Sequence, residues 1–301
     1  MGSSAESEYH YVPTEWICAL FIALYSLSTL IHVGQAAWYR MWWLFPTAVC
    51  AGILEILGWS GRLWSSLNHT LFGPYIMQIT TTIIAPTPLV AANFIILGRI
   101  IGCLGDRYSC LNAKWYTIVF VSCDVIALTV QSVGGATASN ADNDLHKANI
   151  GGNIMLGGIV FQLVAIVFYV ALAGEFLFRY IKDRPFLRSG SVLQRRGSTT
   201  QRMKILLGGM SFMTVCIFIR SIYRTIELSD GWDGKIMSTQ VLFNVLDGAM
   251  ICLAMFTLNA CHPGFLLKPD VIHTGSPDWQ MGTLPITLQK ESVDTKVENV
   301  I

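Results

Sequence analysis

Charge is scarce in this chain. Only 13% of its 301 residues are Asp, Glu, Lys or Arg, against about a quarter in a soluble domain, and this excludes an ordinary water-soluble globule. Histidine is scarcer, at six residues. No H-x-x-x-H pair occurs, and only His32 lies within an apolar run, whereas an intramembrane zinc hydrolase needs several histidines and an acid. Neither a metal, a cofactor nor a catalytic residue is therefore expected. No G-x-x-x-x-G-K-[ST] sequence is present, which argues against direct ATP hydrolysis. The opening MGSSAESEYHYVP has no basic stretch and does not read as a cleavable signal. Glu6 stands where myristoylation needs Ser or Thr. The first helix is expected to serve as an uncleaved anchor. No internal repeat is visible, and with a net charge of +1 nothing points to a nucleic acid.

What the chain has is apolar length. Hydrophobic residues make up 53% and mean hydropathy is +0.51. A hydrocarbon core of about 30 Å needs about 20 apolar residues per helix. Seven such runs occur, near 15–38, 42–66, 74–102, 115–138, 152–180, 203–227 and 237–260. The expected fold is an all-α integral membrane protein with seven transmembrane helices over 15–265. A short segment, 1–14, precedes them, and a polar, disordered tail, 266–301, follows. The fifth loop, FRYIKDRPFLRSGSVLQRRGSTTQRMK, is strongly basic and is placed in the cytoplasm by the positive-inside rule. The N-terminus then lies outside and the C-terminus inside. Asn68-His69-Thr70 is the one N-x-[ST] sequon and falls on the outer side, so Asn68 is the candidate glycosylation site. The eight cysteines all avoid outer loops, so no external disulfide framework is expected. Arg195-Arg196-Gly197-Ser198 offers Ser198 as a phosphorylation site; a solvated basic loop beside anionic lipid is the plainer reading.

Charged groups inside a span cost roughly 2.5–3.5 kcal/mol each on insertion scales, so they need partners or water. Positions i, i+4 and i+7 share one helix face. Arg220, Arg224 and Glu227 have this spacing, as do Gln240, Asn244 and Asp247. Glu55 and Arg62 are seven apart, as are Asp124 and Gln131. The four stripes are expected to converge on one polar pocket, open outward, with Glu55, Asp124 and Asp247 at its floor. Arg224 and Glu227 lie near enough to the outer interface to snorkel. Structural salt bridges fixing helix register are the alternative. Pro86 and Pro88 remove backbone donors and should kink the third helix. Gly134-Gly135, Gly151-Gly152 and Gly157-Gly158 suit close helix packing. Arg99 should snorkel, and Glu175 should pair with it or with Arg179.

At these residues the chain resembles the fungal lipid-translocating exporter family, also called RTA-like or aminocholesterol-resistance-like. The similarity runs through EILGWSGR (Glu55, Gly58, Arg62), Ala85-Pro86 followed by AANFIILGRII, and DVIALTVQSVGG (Asp124, Gln131, Gly134, Gly135). It continues through Gln162, RSIYRTIE (Arg220, Tyr223, Arg224, Glu227), Asp247 and His262-Pro263-Gly264. Trp59 and Phe94 stand where the family more often has Tyr. Gln240 and Asn244 replace the family's usual Glu and Tyr, which makes the site less acidic and differently shaped.

The resemblance implies a seven-helix protein of the fungal plasma membrane, or alternatively of an endomembrane. It also implies an amphipathic lipid or drug-like ligand: a sphingoid long-chain base, an aminosterol or a porphyrin. The expected function is transport or translocation of such a molecule between the helices, among membrane lipids. Without an ATP site, the work must come from the substrate's own gradient or from proton movement through Glu55, Asp124 or Asp247. The alternative is a seven-helix lipid-sensing receptor or regulator of membrane lipid asymmetry.

Overall fold

The structure is a computed structural model that describes residues 11–68, 71–105, 108–140, 145–184, 200–230 and 234–267. Ser198, the opening ten residues and the tail beyond Leu267 lie outside the described residues. The chain forms seven long apolar helices: α1 (Glu15–Trp38), α2 (Trp42–Leu67), α3 (Gly73–Leu104), α4 (Lys114–Ser139), α5 (Asn149–Ile181), α6 (Gln201–Ser229) and α7 (Gln240–Leu266). The shortest has 24 residues; at about 1.5 Å per residue it exceeds a hydrocarbon core of about 30 Å. The chain is an integral membrane protein by this measure.

The outward faces are apolar, with Leu30, Val125, Phe168 and Val241 exposed along the helices. Trp16, Trp38, Trp42 and Trp115 are exposed near helix ends, where indoles suit the headgroup layer. Successive helices pack on one another and α7 returns to α1, which closes a ring. The α4–α5 pair is the most extensive contact, while α3 is the most buried helix and touches α2, α4 and α6. Gly134 explains the α4–α5 approach. A Cβ there would stand 2.6 Å from Met155 N and 2.8 Å from the Gly151 carbonyl.

Three helices depart from regular winding. α2 enters through a π turn at Phe45–Val49. α3 is interrupted at Ala85, between stretches Phe72–Ile84 and Pro86–Leu104. Pro86 and Pro88 have no N–H, so the carbonyls of Thr82 and Ile84 lose their helical donors. α7 carries a π turn at Phe243–Ala249. It holds Asp247 and Gly248, and single π turns gather at functional sites. Arg99 is exposed, its guanidinium 4.8 Å from the Trp43 ring centre. Glu175 pairs with Arg179 at 2.8 Å.

Candidate functional site

The polar stripe of α6 faces α3 and α7. Arg224 forks onto Asp247, with Nε donating to Oδ1 at 3.0 Å and Nη2 to Oδ2 at 2.8 Å. Its Nη1 donates to Glu227 Oε2 at 2.8 Å, and Nη2 also donates to Thr82 Oγ1 at 2.9 Å. Tyr223 donates its hydroxyl to the other Glu227 oxygen at 2.8 Å. Arg220 places Nε 2.7 Å from Asp247 Oδ1. That contact is an ion pair whose N–H is not aimed well enough for a hydrogen bond. Arg220 Nη2 instead donates to the Thr82 carbonyl, the acceptor that Pro86 leaves without a helical donor. Tyr25 on α1 donates to the Gly248 carbonyl at 2.7 Å, beside Asp247 in the π turn. One network thus joins the break in α3 to the π turn in α7 through two arginines.

Glu55 of α2 lies within electrostatic range of Asp247, Arg220 and Arg224. It is 1% exposed, and neither of its oxygens accepts a hydrogen bond. It is the carboxylate of this group with no ion pair, and Trp59 is the donor beside it. One turn on, Trp59 stacks on Phe21 at 4.2 Å between ring centres. Gly248 makes room for it, since a Cβ there would meet the indole. Arg62 donates to the Tyr11 hydroxyl at 2.6 Å. Its guanidinium also lies 4.4 Å from the Phe243 ring centre, and Arg224 lies 5.1 Å from the same ring. Burial raises the Tyr11 phenol above its ordinary value, so it meets Arg62 as a neutral acceptor.

Asp124 and Gln131 do not join this network. They sit between α3, α4 and α5. Gln131 Nε2 donates to Gln162 Oε1 at 3.1 Å, and Gln162 Nε2 donates to Thr87 Oγ1 at 3.2 Å. Asp124 is beside Gln162, yet neither of its oxygens makes a well-formed hydrogen bond. Gln240 accepts from Thr14 at 3.1 Å, which ties the start of α7 to the start of α1. Asn244 is half-buried, with its carbonyl oxygen unsatisfied.

The expectation of one outward-open pocket is therefore corrected. The acids and arginines form two groups. Glu55, Arg62, Asp124, Gln131, Arg220, Arg224, Glu227 and Asp247 are each 5% exposed or less. Among the described residues, none of these side chains opens to the outside. A cavity of about 10 Å³ lies elsewhere, between α6 and α7, against Leu206, Met210 and Leu258. Arg224 and Glu227 do not snorkel; they are buried because Asp247, Thr82 and Tyr223 satisfy them more fully than the interface would. Asn68 is exposed at the end of α2, and the rest of its sequon lies outside the described residues. Among the described residues, no three His, Cys, Asp or Glu gather as metal ligands would.

The sequence reading missed Thr82, Thr87, Tyr25, Tyr11 and Phe243. Thr82 carried a usable signal, because it lies four residues before Pro86 and its carbonyl had to find a donor. Tyr11, Tyr25 and Phe243 carried none, as each is an aromatic among many.

Comparison with known proteins places these features. The profile of the family described as RTA1 like protein matches residues 48–270. A protein named sphingoid long-chain base transporter RSB1, from Saccharomyces cerevisiae strain Lalvin EC1118, is 29% identical over 271 residues, covering 82% of this chain and 71% of its own. Protein RTA1, from Saccharomyces cerevisiae strain S288c, is 31% identical over 206 residues, covering 68% of this chain and 60% of its own. Protein RTM1, also from Saccharomyces cerevisiae, is 28% identical over 205 residues, covering 67% and 62%. No solved structure matches. The matched span takes in both polar groups, the break in α3 and the π turn in α7, and the chain belongs to the RTA1-like family.

Proposed function

We propose that this protein transports an amphipathic cation of the sphingoid long-chain base class, and that Glu55 receives its ammonium group. The observation that carries this reading is Glu55 itself, buried beside Asp247 with neither oxygen in a well-formed hydrogen bond. A buried carboxylate is costly until a cation compensates it. Arg220 and Arg224 pair with Asp247 and Glu227, and neither pairs directly with Glu55, so Glu55 is the acid of this group with no cation of its own. An ammonium on a lipid tail supplies that charge, and the apolar helix faces suit the tail. The similarity to a relative named as a sphingoid base transporter supports the substrate class. The packed network is then the closed form of the pathway. The N-terminus lies outside and the basic loop after α5 lies in the cytoplasm, with Asn68 as the glycosylated position. The membrane is the plasma membrane.

The test is flux of a labelled long-chain base through liposomes holding the purified protein. Losing about 1.4 kcal/mol of charge pairing lowers affinity tenfold, so Glu55→Gln should raise the half-saturating concentration about tenfold or more. Flux no faster than in protein-free liposomes overturns the reading. The close packing of the network favours one other reading, a lipid-sensing receptor. Saturable binding of the base without flux would support it.

A further inference from the structure

We propose that Asp124 is a proton-binding site, separate from the arginine network, and that its protonation supplies the work of transport. The inference rests on the transport reading and adds an energy source to it.

The seat is acceptor-rich. Asp124 and Gln131 are each 1% exposed. Both Asp124 oxygens and Gln131 Oε1 lack a well-formed hydrogen bond. Each amide nitrogen of the chain gives one N–H to its neighbour, Gln131 to Gln162 and Gln162 to Thr87, and the second N–H of Gln162 is the donor beside Asp124. A buried carboxyl with one imperfectly placed amide donor is costly while charged, and a bound cation relieves that cost. The elements packed around Asp124 are α3 and α5, and what they present is neutral: Thr87 and Gln162. No charged or titratable side chain among the described residues acts on Asp124. In this it differs from Glu55, which stands among arginines.

Space decides which cation. A Cβ on Gly158 would stand 2.7 Å from Gln131 Cγ and 3.1 Å from the Ala127 carbonyl. Helices α4 and α5 touch at this level, so no lipid headgroup enters without parting them. A sodium ion needs a shell of oxygens, whereas a proton needs one. Protonation forms an O–H bond on Asp124, with the proton taken from hydronium on one side of the membrane and returned to water on the other.

The seat also has an output. A charged Asp124 would draw the Gln162 amide N–H away from Thr87, because hydrogen bonds to a carboxylate are roughly twice as strong as neutral ones. A neutral Asp124 leaves Gln162 on Thr87, as observed. Thr87 follows the break at Ala85, and Thr82 in the arginine network precedes it. Discontinuous helices near coupling sites are how many secondary transporters link ion to substrate.

The experiment uses the full chain in liposomes with a labelled long-chain base. At one proton per substrate, a one-unit pH gradient should drive about tenfold accumulation. Asp124→Asn should abolish accumulation yet keep exchange of labelled for unlabelled base, and Asp124→Glu should restore accumulation. Infrared spectra of the purified protein should show a buried carboxylic-acid band that is lost in Asp124→Asn and shifted in Asp124→Glu. Undiminished accumulation in Asp124→Asn overturns the proposal, and so does accumulation driven by a sodium gradient instead. An infrared band that vanishes only in Glu55→Gln moves the proton to Glu55 and also overturns it. If the wild type neither exchanges nor accumulates base, the transport reading has failed by itself. The band and its loss in Asp124→Asn still decide whether Asp124 holds the proton.

Discussion

Asp247→Asn and Glu55→Gln remove one buried acid each from the same charged group, and their effects on stability should have opposite character. Asp247 receives Arg220 Nε at 2.7 Å and the Arg224 fork at 3.0 and 2.8 Å. Its neutralisation leaves Arg220 on the Thr82 carbonyl and Arg224 on Glu227 and the Thr82 hydroxyl. Breaking a buried pair by removing one partner costs about 3–5 kcal/mol. One carboxylate serves two arginines here, which pushes the loss upward. The remaining amide oxygen and the nearby Glu55 offset part of it, so the loss should stay within that range. Each kcal/mol shifts Tm by roughly 2–4 °C in chains of 150–250 residues, so Tm should fall by about 10 °C. Glu55 has no ion pair and no well-formed hydrogen bond to lose. Its replacement removes an uncompensated carboxylate, and Tm should hold or rise. The assay is thermal unfolding of the purified protein in one detergent, both variants beside the wild type. Equal losses in the two variants would refute the reasoning, because they would mean that pairing geometry does not set the energetics of this core. A loss under about 1 kcal/mol for Asp247→Asn would do the same.

Two further outcomes follow from backbone and packing. Pro86→Ala restores an N–H able to take the Thr82 carbonyl from Arg220. Amide hydrogen exchange over residues 82–90 should slow as α3 becomes continuous, and unchanged exchange would mean that Pro86 does not cause the break. Gly248→Ala places a Cβ 2.5 Å from the Trp59 indole and 3.2 Å from Phe21. Such overpacking should cost about 1–3 kcal/mol, read by thermal unfolding against Gly34→Ala, where nothing lies within 4 Å.

The helices were legible because lipid makes them so. Every backbone polar group in a hydrocarbon core must be satisfied within its own segment, so long apolar runs become helices with little choice. The run expected at 74–102 is α3 at Gly73–Leu104, and that expected at 203–227 is α6 at Gln201–Ser229. The start of α5 was less legible. Its helical winding extends back to Leu145, through His146, Lys147 and Asn149, ahead of the apolar run expected from 152. The polar site was half legible, and for a geometric reason. Periodicity tells which residues share a face, and the α6 stripe of Arg220, Arg224 and Glu227 is a single face as expected. It does not tell the direction in which that face points around the ring. Asp124 and Gln131 share a face on α4, but that face turns to Gln162 and Thr87 rather than to Arg220. One chamber was therefore expected where two seats exist.

The break in α3 gives the two seats a common element. Thr82 and Thr87 are five residues apart, about 7.5 Å along a helix, and they lie on either side of Ala85. Thr82 is held by Arg220 and Arg224, and Thr87 by Gln162. Had α3 been an unbroken helix, the Thr82 carbonyl would be occupied by its own backbone and Arg220 would have no claim on it. The proline creates the acceptor, and a buried arginine fills it. The bond that completes the arginine network is thus also a bond across a weakened point of the backbone. A change of charge at Asp247 or Glu55 alters the hold of Arg220 on the segment before the break. A change at Asp124 alters the hold of Gln162 on the segment after it. Mechanical coupling between the seats needs no further contact than this, because α3 is the most buried helix and cannot bend at Ala85 without moving both.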